Sequence, residues 1–254
     1  MDIEIFVHPT CSTCHALLRR LHRWGLLDRV RIIDTSKDPY ITIERGVRSV
    51  PSIFINGELA FAGVMDFEEV RNALLGNALT RSSSPSENEL VQAFMRGVLD
   101  SVATALWLYV NEDCGAFLRD KATLKAMMGI GDKEFDEFEA IIRSMNCAQL
   151  ISSNEESFLR VISTNFAREI YWVLGRMSWA TIKDLYSREA VAHWMIVRSA
   201  LGRVGLRPHR LSEPGFASKV DRVYGYLEQR FDELMDKVSK EQDEIAKDWP
   251  ILAR

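Results

Sequence analysis

The chain has 254 residues, 47% of them hydrophobic, with 32 Lys and Arg against 36 Asp and Glu and a net charge of −4. That length and apolar content exclude a disordered or fibrous chain and allow one large or two modest domains. Charge is balanced along the chain, so no nucleic acid is expected as a partner, and no run reaches the roughly 18 apolar residues of a membrane span, so no membrane is expected either.

The most apolar segment, Val98 to Val110, is interrupted by Asp100, Ser101 and Thr104. No secretory signal is seen, which makes the cytoplasm the expected location. There, four cysteines are expected to be catalytic or free rather than stapled.

The chain opens with Ile3, Ile5 and Val7 alternating with Glu4 and Phe6, the pattern of a strand. Cys14, Leu17, Leu18, Leu21 and Trp24 then share one helical face, and Gly25 closes the helix. Where strand hands over to helix stand Cys11 and Cys14, separated by Ser12 and Thr13. The free N–H groups and the dipole of a helix N-terminus favour an anion, so a thiolate is expected at Cys11. A thiolate attacks disulfides, and Cys14, one turn along, is placed to resolve the mixed disulfide.

Three other uses of the pair compete. Cys11, Cys14, His8, His15 and His22 offer zinc ligands, but no second ligand pair follows downstream, and no metal site is expected. Cys14-His15 completes a haem-attachment pattern, which needs export. Two cysteines that merely pack are the bland alternative.

Val30 to Asp34 reads as a second strand. Asp38-Pro39 starts a short helix with its cap and a first-position proline, ending at Gly46. Ser52 to Ile55 is a strand, Asn56-Gly57 a type I′ turn, and Leu59 to Ala62 the return strand. Gly63 breaks it, and Asp66 caps a helix from Phe67 to Leu75 that ends at Gly76.

The order strand, CxxC, helix, strand, helix, Val-Pro strand, turn, strand, helix resembles the thioredoxin fold in its compact, glutaredoxin-sized form. Residues 1–78 carry the resemblance, through Cys11-Ser12-Thr13-Cys14 and Val50-Pro51-Ser52-Ile53-Phe54-Ile55. It implies Cys11 as nucleophile, Cys14 as resolving thiol and a cis Pro51 lying against the dithiol. Val50 would then pair through its backbone with an extended substrate segment. Ser12 and Thr13 replace the usual proline, and their hydroxyls are candidate donors to the Cys11 thiolate. His8 ends the strand feeding the motif and is a candidate to modulate Cys11. No cofactor is expected. Glutathione is the one candidate, but the polar pair that holds its carboxylate in many glutaredoxins is replaced by Val64 and Met65, with only Asp66 retained.

Residues 79–88 are serine-rich with Pro85 and read as a linker. Ser86 with Glu89 forms a capping box that launches the next helix. Residues 89–254 read as an all-helical domain, giving an α/β thioredoxin-like domain followed by an all-α one. Helices are expected over Glu87 to Val110, Gly115 to Met128, Lys133 to Met145, Glu155 to Met177, Trp179 to Val204 and Phe216 to Ile245.

The aromatic residues of this half, Trp107, Tyr109, Trp172, Trp179 and Trp194 among them, read as core. The loop with Arg203, Arg207, His209 and Arg210 reads as solvated rather than as an anion site. Val220, Tyr224, Leu227, Phe231, Leu234 and Val238 form a heptad seam that either docks on the chain's own helices or makes a homodimer through residues 216–245. Cys114 and Cys147 show no motif and read as buried or as spectators.

The layout of the two halves is also similar to that of glutathione transferases. The CxxC dithiol and the thioredoxin-fold resemblance make thiol–disulfide oxidoreduction on a protein or small disulfide the expected function, with a reductase or dithiol donor and with the helical half choosing the partner. A glutathione-transferase-like enzyme and a redox-inactive adaptor are the alternatives.

Overall fold

The structure is a computed structural model and describes residues 1–63, 65–77, 85–200 and 214–253. Val64, most of the expected linker, and the loop with Arg203, Arg207, His209 and Arg210 lie outside the described residues. Contacts divide the chain into two units, Met1–Gly97 with Phe117–Ile141 and Gln242–Arg254, and Val98–Ala116 with Ile142–Glu241. These units interleave along the chain and so do not follow its order at 79–88.

The first unit begins with β1 (Ile3–Val7), α1 (Ser12–Trp24), β2 (Arg31–Asp34), α2 (Pro39–Glu44), β3 (Ser52–Ile55), β4 (Glu58–Ala62) and α3 (Phe67–Leu74). The sheet order is β2-β1-β3-β4, with β1 parallel to β2 and antiparallel to β3, and β4 antiparallel to β3. This mixed sheet with flanking helices is the expected thioredoxin-like fold.

Strand alternation explains the two faces. Ile3, Ile5, Val7 and Ile53 pack with Leu17, Leu18 and Leu21 of α1 and with Val70 and Leu74 of α3. Phe6, Ile33 and Phe54 cluster separately, with the Phe6 and Phe54 rings edge to face at 5.5 Å. Glu4, on the same strand, is buried. Its two oxygens meet Arg31 at 3.1 Å and Arg45 at 2.7 Å, which compensates the buried charge.

The turn chemistry holds locally. Asn56 (φ 53) and Gly57 (φ 86) both take positive φ, as a type I′ turn requires. Asp66 accepts from the backbone N–H of Glu68 and Glu69 and caps α3. Asp38 occupies the cap position of α2 with Pro39 after it, but its side chain makes no capping bond.

The rest is helical: α4 (Glu87–Asp100), α5 (Val102–Asn111), a 3-10 segment (Cys114–Arg119), α6 (Lys121–Met128), α7 (Asp132–Ser144), α8 (Cys147–Ser153), α9 (Glu155–Leu174), α10 (Trp179–Ile182), α11 (Arg188–Ala200) and α12 (Pro214–Leu252). The Ser86–Glu89 capping box forms, with Ser86 N–H donating to Glu89 at 2.7 Å.

Three expected single helices are broken by local polar capping. The first divides at Ser101, where the Thr104 hydroxyl donates to the carbonyls of Val98 and Ser101. The second is a 3-10 segment and α6, because Asp120 accepts from Thr123 N–H and restarts the helix. The third is α10 and α11, restarted where Ser187 Oγ accepts from Ala190 N–H. The short helix α8, capped by Asn146, was not anticipated. Helix α12 starts at Pro214, two residues before the expected Phe216; proline suits a first helical turn.

Two expectations for the helical half are corrected. Cys114 and Cys147 are not spectators: they form a disulfide. Residues 33 apart in sequence carry no spacing signal, so only the path of the chain brings them together. The seam Val220, Leu227, Phe231, Leu234 and Val238 is buried within the second unit. Phe231 meets Phe166 and Trp179, and Tyr224 meets Trp179. The face that the homodimer required is thus covered by the chain itself.

Trp107, Tyr109 and Trp179 are core residues as expected, whereas Trp172 is 44% exposed. Among the described residues no single helix is long and apolar enough to cross a membrane, although α4 and α5, a bent pair, meet that test together by length and composition.

Candidate active site

Helix α1 owes its start to Cys11. The residue takes an extended conformation (φ −94, ψ 116) at the cap position, and its Sγ accepts from Cys14 N–H at 3.2 Å. An N–H aimed at sulfur is the contact that an anionic sulfur keeps. Two further bonds hold the loop: Cys11 N–H donates to His8 carbonyl and His15 N–H donates to Cys11 carbonyl, both at 3.0 Å.

Cys11 is partly exposed and Cys14 is fully buried, and both are thiols. This asymmetry follows from the helix: Cys14 begins the apolar face that packs on the sheet, whereas Cys11 stands at its tip. Ser12 and Thr13 fill the first turn between them.

Across from the pair runs the segment entering β3. The Val50–Pro51 bond is cis. The Cys11 thiol donates to the Val50 carbonyl at 3.5 Å, joining two motifs 39 residues apart in sequence. Pro51 carbonyl accepts from Gly63 N–H at 2.8 Å, which ties this segment to the end of β4.

His8 Nδ1 lies 2.6 Å from Thr10 Oγ1 and accepts from Thr10 N–H at 3.3 Å, so the imidazole is oriented within the cysteine loop. Burial pushes its pKa below the usual histidine value, with the charge of Asp34 opposing. Asp34 pairs with Val7 in the register of β1 and β2. Burial raises its pKa, but bonds from Ser36 and Trp249 and the charge of Lys37 outweigh this and hold it below the usual range.

The thioredoxin-domain family profile matches residues 1–75. A probable thioredoxin of Methanothermobacter thermautotrophicus is 33% identical over 78 residues, which are 29% of this chain and 92% of that protein. The chain belongs to the thioredoxin family. A thioredoxin of Methanocaldococcus jannaschii is 31% identical over 78 residues, again 29% of this chain and 92% of the relative. No solved structure matches at a significant level. The general chemistry that goes with the thioredoxin family is thiol–disulfide oxidoreduction. The matched segment holds both cysteines and the Val50–Pro51 segment, while the helical remainder is not recognised.

The thioredoxin domain carries contacts that sequence reasoning missed. They come from residues 242–249, within the same packing unit. Gln242 Nε2 donates to Thr10 carbonyl at 3.2 Å, immediately before Cys11. His15 Nε2 lies 3.0 Å from Asp248 Oδ2, and Trp249 Nε1 donates to Asp34 at 3.3 Å. His15 is buried beside this partner. Nothing local marks residues more than two hundred positions away as neighbours of the CxxC loop. Among the described residues no group of three or more His, Cys, Asp or Glu side chains is arranged to hold a metal ion.

Proposed function

We propose that the chain is a thiol–disulfide oxidoreductase acting through Cys11 and Cys14 on a protein or small-molecule disulfide. One observation carries the reading: a partly exposed Cys11 sulfur at a helix cap accepts the N–H of a buried Cys14. Cys11 thiolate attacks a substrate sulfur, forming a mixed disulfide and releasing one substrate thiolate. Cys14 thiolate then attacks Cys11 Sγ, releases the second substrate thiolate and leaves a Cys11–Cys14 disulfide. A reductase or external dithiol returns the two electrons.

Val50 presents its carbonyl beside the sulfur. Deprotonation of Cys11 removes the S–H donor and leaves that oxygen for an extended substrate backbone. Pro51 follows it and has no N–H to compete for the thiols. Ser12 and Thr13 shape the first helical turn beside the nucleophile. His8, oriented by Thr10, exchanges protons with the dithiol as it opens and closes. The helical half selects the partner, and the cytoplasm is the proposed location. No bound cofactor is required.

The test is the redox equilibrium of Cys11 and Cys14 in glutathione buffers, read by alkylation and mass spectrometry so that Cys114 and Cys147 are scored separately. A two-electron transition within about −270 to −120 mV supports dithiol exchange, and its position separates reductant from oxidant. Absence of a Cys11–Cys14 disulfide at every poise overturns the mechanism. Activity surviving Cys14→Ser points instead to a glutathione-transferase-like use of the fold. Partner binding that survives loss of both thiols points to an adaptor.

A further inference from the structure

The chain holds two cysteine pairs in opposite states: Cys11 and Cys14 are thiols, and Cys114–Cys147 is a disulfide. Their surroundings differ too. Cys114 and Cys147 both line an open cavity of about 580 Å³ in the second unit. Its walls are polar, with Glu112, Asp113, Arg143 and Asn146. Cys114 is 2% exposed, whereas Cys147 is partly exposed. Thiol–disulfide exchange needs a path for a thiolate to one sulfur, and disulfides that offer such a path are the labile ones. A bridge serving only as a staple has no need of a polar, open approach.

We propose that Cys114–Cys147 is a second exchange site, a reducible disulfide that accepts two electrons from a protein dithiol of the kind that Cys11 and Cys14 present. This rests on the dithiol reading of Cys11 and Cys14. The incoming thiolate attacks Cys147 Sγ, which belongs to the more exposed of the two residues. The Cys114–Cys147 bond breaks, a mixed disulfide to Cys147 forms, and Cys114 leaves as a thiolate that takes a proton from water. The second thiolate of the donor attacks the donor's own first sulfur, releasing Cys147 as a thiolate. The donor ends as a disulfide and Cys114 and Cys147 end as thiols, so atoms and electrons balance. The chain then carries both a dithiol donor and a disulfide acceptor, and electrons taken up at one pair can be stored at the other.

The test uses full-length chains. The target is a 15N-labelled C11S/C14S variant, which keeps the Cys114–Cys147 bridge. Reduced, unlabelled wild-type chain is mixed with it, and reduced unlabelled C11S/C14S serves as the control donor. Alkylation and mass spectrometry count the thiols on the labelled target, and insulin reduction by the same wild-type sample is run in parallel.

The expected result is two new thiols on the target, at Cys114 and Cys147, appearing about tenfold or more faster with wild type than with the control. A Cys14→Ser donor, which retains its own Cys114–Cys147 bridge, is expected to stall as a covalent dimer through Cys11 and Cys147. A target left intact by a wild-type chain that reduces insulin overturns this inference alone. If insulin is not reduced either, the dithiol reading falls and takes this inference with it. A dimer that maps to Cys114 instead of Cys147 overturns the assignment of the attacked sulfur.

Discussion

Gln242 donates to the carbonyl of Thr10 at 3.2 Å, although 232 positions separate them. The last turns of α12 thereby hold the peptide that leads into Cys11. The same turns pair Asp248 with His15 and Glu244 with Arg19. A thioredoxin-type dithiol loop is thus braced by the far end of the chain.

Gln242 is buried, so its loss strands the Thr10 carbonyl. Gln242→Ala is expected to destabilise the chain by about 1–3 kcal/mol. Urea midpoints measure the cost. A neutral result would mean that water replaces the amide and that the loop holds itself.

Trp249→Phe keeps a ring but removes the indole N–H that Asp34 accepts. Asp34 has a depressed pKa in the folded chain, so its contribution to stability is present above about 3.8 and is lost as pH falls through the folded value. With one donor gone, the folded value rises. The acid-unfolding midpoint of the variant is expected at a higher pH than that of the wild type, with a loss of about 0.5–1.5 kcal/mol at neutral pH. Circular dichroism across an acid titration reads both.

His8 titrates in a different window. Its folded pKa lies below the ordinary 6.5, so the unfolded chain binds the proton first. Its contribution is complete above that ordinary value and falls as pH drops from there towards the folded value. His8→Asn removes this term. Urea midpoints at about pH 7.5 and about pH 5.5 should therefore fall more steeply in the wild type than in the variant. Equal slopes would show that another group controls this range.

Gly57 takes φ 86 at the turn between β3 and β4, and a Cβ there meets no neighbour within 4 Å. Any cost of Gly57→Ala is therefore backbone strain and not crowding. The expected loss is about 1–2 kcal/mol, readable from thermal or urea unfolding. Gly115, which lacks positive φ, should tolerate alanine far better.

The Cys114–Cys147 bridge closes a loop with a sequence separation of 33. Cys114→Ser together with Cys147→Ser is expected to cost about 2–4 kcal/mol through the freedom regained by the unfolded chain. Unfolding of the double variant against the oxidised wild type measures it, and an unchanged midpoint would show that the unfolded chain gains little from losing the bridge.

Sequence by itself determined the elements of the thioredoxin domain and the place of its dithiol. The signals there are local: strand alternation, a helical stripe starting at Cys14, the Asn56-Gly57 turn pair, and a cap at Asp66. It also marked the helical character of the remainder and the breaks before Asp132 and Trp179, but not those at Ser101, Asp120 and Ser187. Those breaks depend on single side chains, Thr104, Asp120 and Ser187, competing for backbone groups that periodicity ignores. Tertiary structure alone decided that Glu4 is buried between two arginines, that the heptad seam is covered by the chain's own aromatics, and that Cys114 meets Cys147. It alone brought Gln242 to Thr10, Asp248 to His15 and Trp249 to Asp34, around the dithiol loop. Each of these is a pairing across a long stretch of chain, and pairing partners follow from the path of the fold, which no local pattern encodes.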